Sequence, residues 1–275
     1  MKNFEIASKR QLAENVHEYG IYAPLVVKHC LAGQFIILRT DEDGERVPFT
    51  ICDYSREDGI VYILVQEVGY TTMKLAEMKV GDALADFVGP LGNATDLSEF
   101  KNICLVGGGI GSAVIYPQAK QLHAEGRSAD VIVGARNKSL LMYTDNFAAN
   151  SKNLYLVTDD GSNGNKGFVT DMLRQLVESG KKYDCVFAVG PLPMMKAVCA
   201  LTRELGIKTI VSMNSLMVDG TGMCGCCRLS VNGEIKYACI DGPEFDGHGV
   251  DFDEAILRSR TYKAQEQAHI CNLRG

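Results

Sequence analysis

Three features are missing from this sequence of 275 residues. It has no apolar run that reads as a membrane span, because its longest uncharged stretch, residues 102–119, contains four glycines and Pro117. It has no basic surplus, since 28 Lys and Arg stand against 34 Asp and Glu, and no basic cluster is interleaved with aromatic residues. The sequence therefore predicts neither a membrane partner nor a nucleic-acid partner.

The N-terminus also lacks the apolar stretch of a secretory signal peptide, because Lys2, Glu5, Lys9 and Arg10 fall within its first ten positions. Ten cysteines without a secretory signal are typical of a reducing compartment, so we expect a cytoplasmic protein. A hydrophobic content of 46% over this length predicts at least one full core and room for a second.

A glycine-rich segment, Asp-Gly-Thr-Gly-Met-Cys-Gly-Cys-Cys at residues 219–227, is the most informative part of the chain, and we call it the cysteine loop. Its offsets match the C-x₄-C-x₂-C spacing of a plant-type [2Fe–2S] site, with Asp219 in the first position, followed by Cys224 and Cys227. A carboxylate keeps the negative charge of a thiolate but offers a harder oxygen. The pattern predicts a [2Fe–2S] cluster with one aspartate among its ligands.

The fourth predicted metal ligand, Cys239, lies twelve residues beyond the cysteine loop. The stretch between them reads as a strand, an Asn232-Gly233 turn and a second strand, so a hairpin would bring Cys239 back to the loop. Cys226 is predicted to be a non-ligand, because adjacent side chains point apart and it cannot easily replace Cys227. The predicted ligand set is therefore Asp219, Cys224, Cys227 and Cys239.

Two other interpretations of the cysteine loop stay open. Because C-x₂-C pairs are common in zinc sites, the three cysteines together with Asp219 or His248 could hold Zn²⁺. The loop could also hold no metal. The other six cysteines are dispersed and mostly lie in apolar runs, as Cys104 does, so we expect them to be small hydrophobic core residues.

The first 98 residues are rich in short strand-like runs, at 34–38, 47–52 and 59–68, which are separated by acidic turns that contain glycine. Such spacing predicts a small antiparallel β-barrel as a first domain, residues 1–98, with one short helix at 71–78.

Residues 99–215 change to an alternation of apolar strands and helices, which predicts a doubly wound parallel sheet as a second domain. Residues 216–275 carry the cysteine loop and hairpin as an appendage, followed by a polar C-terminal helix. The predicted strands of the sheet are 103–106, 130–133, 153–157, 183–189 and 208–212, and the predicted helices lie near 112–125, 139–149, 168–179 and 192–205.

A glycine-rich turn, Gly107-Gly108-Gly109-Ile110-Gly111, follows the first strand of this sheet and precedes a helix. Glycine lets the backbone approach a pyrophosphate, and the N–H groups at the start of the helix attract its negative charge. We therefore predict that Gly108, Gly109, Ile110 and Gly111 contact a dinucleotide. The alternative is a turn that only allows close packing of strand and helix.

Two later turns, Asp159-Asp160 and Gly190-Pro191, follow further strands at the edge where ligands bind in open α/β sheets, so these four residues are also predicted to contact the dinucleotide. Ordinary turn chemistry is the alternative for both. No acidic residue stands at the end of the second strand to bind a ribose 2′-OH. Arg136 stands there instead, which leaves the choice between NAD and NADP open.

Taken together, these motifs resemble the ferredoxin reductase superfamily and, within it, the electron-transfer subunits of the dihydroorotate dehydrogenase and sulfide dehydrogenase type. The sequence is most similar to small (alpha) subunits of electron-bifurcating, NADH-dependent ferredoxin:NADP⁺ oxidoreductases, which share an aspartate at the position of Asp219 where the dihydroorotate dehydrogenase type has cysteine. The resemblance covers essentially the whole chain. It is carried by residues 47–50, 69–72, 107–111, 159–162, 190–194 and, most specifically, 223–247.

The resemblance implies that the barrel binds FAD, that the parallel sheet binds NAD(H) and that the cysteine loop holds the [2Fe–2S] cluster. It implies no side chain that acts as a catalytic acid or base. The implied flavin contacts are Val47, Pro48, Phe49 and Thr50, with Leu64, Val65 and Gln66 nearby, and the implied pyrophosphate contacts are Gly69, Thr71 and Thr72.

The function that the resemblance implies is hydride exchange between NAD(H) and FAD, followed by exchange of single electrons between FAD and the cluster. Because the chain shows neither a second cluster nor a substrate pocket, a partner is implied. That partner would be a larger flavin and iron–sulfur subunit related to glutamate synthase, in a heterodimer that reaches ferredoxin indirectly. The alternatives are the electron-transfer subunit of dihydroorotate dehydrogenase or sulfide dehydrogenase, and a non-catalytic module that binds nucleotide and zinc.

Overall fold

Two six-stranded sheets and one short hairpin contain the β-structure of the computed structural model, which describes residues 2–274 and the side chains as far as residue 271. The first sheet is antiparallel, with the strand order β1-β2-β5-β4-β3-β6. Its strands are β1 (Ile6–Ala13), β2 (Val16–Tyr22), β3 (Phe35–Arg39), β4 (Val47–Ser55), β5 (Ile60–Gln66) and β6 (Asp86–Leu91).

The first sheet curls into a barrel because the start of β1 meets the chain that leads into β6. Glu5 forms a bridge with Ala83, and the N–H of Ile6 donates to the carbonyl of Asp82 at 2.8 Å. Alternate residues of the strands point inward, where Tyr19 and Ile63 are fully buried. Two helices, α1 (Pro24–His29) and α2 (Tyr70–Glu77), complete this part of the chain. The predicted antiparallel barrel is confirmed.

The second sheet contains the five predicted parallel strands. They are β7 (Ile103–Gly108), β8 (Asp130–Ala135), β9 (Asn153–Thr158), β10 (Cys185–Val189) and β11 (Lys208–Ser212). Every residue of β7, β8 and β10 is buried, as expected for parallel strands that are covered by helices on both faces. The helices are α3 (Gly111–Ala124), α4 (Thr144–Asn150), α5 (Val169–Glu178) and α6 (Leu192–Leu205).

The second sheet differs from the prediction at one edge, because it is not purely parallel. After the hairpin of β12 (Arg228–Val231) and β13 (Glu234–Tyr237), the chain returns as β14 (Glu244–Asp246) and pairs antiparallel with β11. A strand of three residues is too short to show a periodic pattern in the sequence. The cysteine-bearing segment is thereby hydrogen-bonded into the second sheet. Two helices, α7 (Phe252–Arg258) and α8 (Lys263–Arg274), follow it.

Candidate functional site

The hairpin brings two cysteine thiols together, as predicted. Cys227 and Cys239 are 2% and 3% exposed, and their Sγ atoms lie 3.3 Å apart. Asn232 and Gly233 both adopt positive φ, 52° and 79°, so they form the tight turn that matches the twist of a two-stranded ribbon. Burial and the neighbouring Cys227 raise the pKa of Cys239 to about 12. Cysteine binds a metal as the thiolate, so a metal bound by this pair would displace the thiol protons.

The carboxylate of Asp219 organises the cysteine loop. Its Oδ2 accepts a hydrogen bond from the backbone N–H of Cys224 at 2.9 Å, and its Oδ1 accepts one from the N–H of Thr221 at 2.7 Å. Hydrogen bonds from Cys224 and Thr221 lower the pKa of Asp219 well below its ordinary range. The carboxylate is therefore ionised and stands next to the backbone of Cys224, another predicted ligand.

The glycines of the cysteine loop are needed where the loop touches the rest of the chain. Gly220 has a φ of 81°, and a Cβ there would lie 2.6 Å from Cδ1 of Ile37 in the barrel. Gly222 has a φ of 86°, and its Cβ would lie 2.7 Å from Cδ1 of Ile240. The loop is thus pressed against both the barrel and the segment that carries Cys239.

Not all four predicted ligands converge. Cys224 is exposed, and within the described residues no group of three or more His, Cys, Asp and Glu side chains is already placed to hold a metal ion. His248 does not contact the three cysteines of the predicted ligand set. Its Nε2 is instead hydrogen-bonded to Oγ1 of Thr202 at 3.0 Å, so the structure does not favour it as a zinc ligand. The donor set nevertheless fits a [2Fe–2S] cluster, since a buried thiol pair, a third thiol and an ionised carboxylate share one loop and hairpin.

The predicted flavin strand is accessible along one edge. Residues 47–50 of β4 pair only with β3, whereas residues 51–55 pair with β5, so β4 changes partner midway. The side chains of Val47, Pro48, Phe49 and Thr50 are all partly exposed. Leu64 and Val65 of β5 are buried, and Gln66 is exposed at the end of that strand. Val65 packs in the barrel core, so only its backbone is free to face a ligand.

The predicted pyrophosphate contacts lie at the start of α2. Gly69 is the N-cap, and Oγ1 of Thr72 accepts hydrogen bonds from the N–H groups of Gly69 and Val68 at 2.9 and 3.0 Å. Thr71 is buried, and its hydroxyl donates to Oε2 of Glu45 at 3.1 Å. A Cβ at Gly69 would lie 2.3 Å from Oε1 of Glu266, so α8 crosses this helix start.

The glycine-rich turn and Gly190-Pro191 come together, as the dinucleotide interpretation requires. They follow β7 and β10, which are neighbours at the point where the strand order reverses direction. A Cβ at Gly190 would lie 3.3 Å from Cα of Gly108, and a Cβ at Gly111 would lie 2.3 Å from the carbonyl oxygen of Val189. Gly109 has a φ of 55° and open space where a side chain would be. These close approaches form a crevice lined by backbone.

Asp159 and Asp160 lie elsewhere, at the carboxyl end of the edge strand β9, two strands away from β7. Both are exposed, and Oδ1 of Asp160 accepts the N–H of Ser162 at 2.9 Å, which is ordinary turn chemistry. Hydrogen bonds from Ser162 lower the pKa of Asp160. Arg136 is exposed at the end of β8, between this turn and the crevice.

Two residues of the site have no counterpart in the sequence analysis. Arg46, directly before the flavin strand, donates from Nε to the carbonyl of Val218 at 2.8 Å. Glu244 of β14 is hydrogen-bonded to Thr95 of the segment that links the two sheets. Arg46 lies outside the motifs, and Glu244 lies within residues 223–247, which carry the resemblance but give this residue no role. Their partners are 172 and 149 residues away in the sequence.

The cysteine-bearing segment matches a known family. A family model for the iron–sulfur cluster binding domain of dihydroorotate dehydrogenase B matches residues 214–251. This range contains the cysteine loop, the hairpin and Cys239. None of the helices within residues 2–274 is both long and apolar enough to cross a membrane.

A solved structure covers the whole architecture. A chain from the structure of the NADH-dependent reduced ferredoxin–NADP oxidoreductase, described in terms of flavin-based electron bifurcation, is 42% identical with a TM-score of 0.94. The match covers 100% of this chain and 99% of that chain. Barrel, nucleotide-binding sheet and iron–sulfur segment together define the chain as an oxidoreductase of the ferredoxin reductase fold.

Two bacterial relatives match nearly the whole chain, and the second of them identifies the family. A protein of Clostridium beijerinckii, named only as an uncharacterized protein in the adh 3′ region, is 51% identical over 96% of this chain and 92% of its own length. The dihydroorotate dehydrogenase B (NAD(+)) electron transfer subunit homolog of Thermotoga maritima is 46% identical over 96% and 93%. The chain therefore belongs to the family of dihydroorotate dehydrogenase B electron-transfer subunits. This membership confirms the predicted cofactors, FAD, NAD(H) and a [2Fe–2S] cluster.

Proposed function

We propose that this chain is the small subunit of an electron-bifurcating, NADH-dependent ferredoxin:NADP⁺ oxidoreductase. The observation that carries the proposal is the end-to-end match, at a TM-score of 0.94, to a chain of the NADH-dependent reduced ferredoxin–NADP oxidoreductase. The aspartate at position 219 supports the same choice, because the small subunits that the sequence resembles share an aspartate at this position.

The site residues have distinct roles in this proposal. Residues 47–50 offer a half-paired strand edge to the flavin, and Gly69, Thr71 and Thr72 offer the start of α2 to its pyrophosphate. The crevice between Gly108 and Gly190 receives NAD(H). FAD, when bound, supplies the conversion between two-electron and one-electron chemistry. Asp219, Cys224, Cys227 and Cys239 would hold the cluster.

The protein side chains bind and orient in this scheme, and none of them transfers a proton to substrate. The residue ranges 1–98, 99–215 and 216–275 correspond in our proposal to units for FAD, NAD(H) and the cluster. Ten cysteines without a disulfide among them agree with a reducing cytoplasm. Electrons leave the chain through a larger partner, for which we propose a flavin and iron–sulfur subunit related to glutamate synthase.

The proposal is tested by capturing the tagged, full-length chain anaerobically from its native host. We expect stoichiometric iron, labile sulfide and FAD, a larger flavin and iron–sulfur subunit in the complex, and NADH-dependent reduction of NADP⁺ that requires reduced ferredoxin. A chain without iron and sulfide would refute the cofactor assignment.

A second candidate is supported by the name of the relative from Thermotoga maritima, an electron transfer subunit homolog of dihydroorotate dehydrogenase B. In that case the captured complex contains a dihydroorotate-oxidising subunit and reduces NAD⁺ with dihydroorotate. The two candidates share this chain's cofactors and differ only in the partner, so one capture experiment decides between them.

A further inference from the structure

Arg46 joins the flavin strand to the cysteine loop. It directly precedes Val47, the first residue of β4, and its side chain reaches across to the loop. Its Nε donates to the carbonyl of Val218 at 2.8 Å, and an Nη donates to the carbonyl of Asp219 at 3.4 Å. Arg46 therefore holds the backbone of Asp219, a predicted cluster ligand. The next residue, Val47, begins the strand that is predicted to face the flavin.

The fork of a guanidinium suits this contact. Two successive carbonyls require two donors at a fixed separation, which arginine offers and the single ammonium of lysine does not. The loop is held at a second point by Gly220, whose Cα lies so close to the barrel that a Cβ would approach Ile37 and Leu91 to 2.6 and 2.8 Å. The loop is thus fixed on the barrel by a hydrogen-bonded fork and a close backbone contact.

The positive charge of Arg46 is not cancelled locally. The carboxylate nearest to it, Asp86, lies 3.9 Å away and is already paired with Arg39 at 2.7 Å. The adjacent Glu45 is turned away and accepts from the hydroxyl of Thr71. Two guanidinium groups thus share the carboxylate of Asp86, and the ionised carboxylate of Asp219 is bound by the N–H groups of Thr221 and Cys224 instead of by Arg46. Arg46 therefore places a cation beside the cysteine loop.

We propose that Arg46 is a positioning residue that fixes the register of the cysteine loop against the flavin strand and raises the reduction potential of the cluster. This inference rests on the proposed function, because it takes the loop as the cluster site. A reduced cluster carries one more negative charge than an oxidised one, so a nearby cation stabilises the reduced form. The fork also limits motion of the loop, so it slows loss of the cluster.

The test compares Arg46→Gln and Arg46→Lys with wild type in the full-length, anaerobically purified protein. The matched control is Arg174→Gln, which removes an exposed arginine of α5 that is paired with Glu204 of α6. The readouts are iron and sulfide content, the cluster potential from an EPR-monitored redox titration, and the rate of iron release to a chelator.

We expect Arg46→Gln to lower the cluster potential and to release iron several-fold faster. Arg46→Lys keeps the charge but loses the fork, so its potential stays near that of wild type while iron release is still faster. The inference is overturned if Arg46→Gln leaves the potential unchanged, or if the lysine variant lowers it as far as the glutamine variant does. A wild-type protein without iron and sulfide would instead refute the proposed function.

Discussion

Glu244 is predicted to make stability fall as the pH rises, and the reason is a chain of hydrogen bonds at the seam between the two sheets. The amide of Gln118 is oriented by main-chain groups, because its nitrogen faces the carbonyl of Val114 and its oxygen accepts the N–H of Gly33 at 3.3 Å. Its oxygen then also accepts the hydroxyl proton of Thr95 at 2.9 Å. Thr95 has no second proton to give, so the contact between Thr95 and Glu244 needs a proton on Glu244.

The same conclusion follows from the surroundings of the carboxyl group. Burial is the main cause that raises the pKa of Glu244 to about 7, from an ordinary value of 4.5. The nearby charged groups have partners other than Glu244. Asp96 accepts the N–H of Ser98, and Asp246 accepts the N–H of His248. Lys120 forms an ion pair with Asp53. Among the side chains that the structure describes, no cation contributes to the pKa of Glu244 and offsets the cost of its ionisation.

The sign and size of the effect follow from linkage. A carboxyl group whose pKa is raised in the folded state contributes fully below pH 4.5, and this contribution is lost as the pH rises through about 7. The shift in the pKa corresponds to a change of at most about 3 kcal/mol in the free energy of unfolding. Because Glu244 is partly exposed, we expect a change of about 2 kcal/mol.

The assay is urea unfolding of the purified, cofactor-loaded protein between pH 5 and pH 8, for wild type and Glu244→Gln. Glutamine has the shape of the protonated acid and can donate to Thr95, so the variant should lose the pH slope that wild type shows. The difference between the two proteins removes the contributions of all other titrating groups. Parallel pH profiles would refute a protonated Glu244.

Three further predictions concern separate parts of the chain. Gly108→Ala should weaken NADH binding at least tenfold in a stopped-flow titration while FAD content is unchanged, because the new Cβ would lie 2.2 Å from Sδ of Met194. Asp130→Ala should lower the free energy of unfolding in urea by about 2 kcal/mol, since Asp130 is buried and paired with Lys181 at 2.7 Å. NADH binding should not change, because the crevice lies at the opposite ends of the strands. Asp219→Ala should alter the EPR spectrum of the reduced cluster, and an unchanged spectrum would remove Asp219 from the ligand set.

Local patterns in the sequence were sufficient for the five parallel strands of the second sheet and for the hairpin. The strands of that sheet are continuous apolar runs, and the turn at Asn232-Gly233 has a conformation that these two residue types adopt readily. The hairpin in turn explains why Cys239 lies against Cys227.

Other parts could not be read from local patterns. Strand β1 has buried residues only at its two ends, so it lacks the alternation that marks a half-buried strand. The contacts of Arg46 and Glu244 join segments that are far apart in the sequence, and such contacts exist only once the barrel and the second sheet have packed together. The arrangement of Asp159 and Asp160, two strands from the crevice, depends likewise on strand order.

The return of the chain as β14 has a consequence for modularity. Because β14 covers the outer edge of β11, the iron–sulfur segment also serves as the sheet's protection against edge-to-edge association. Removing it would expose a hydrogen-bonding edge rather than leave a free-standing reductase. Recombination with other redox modules would thus have to preserve the three residues of β14, which have no redox role of their own.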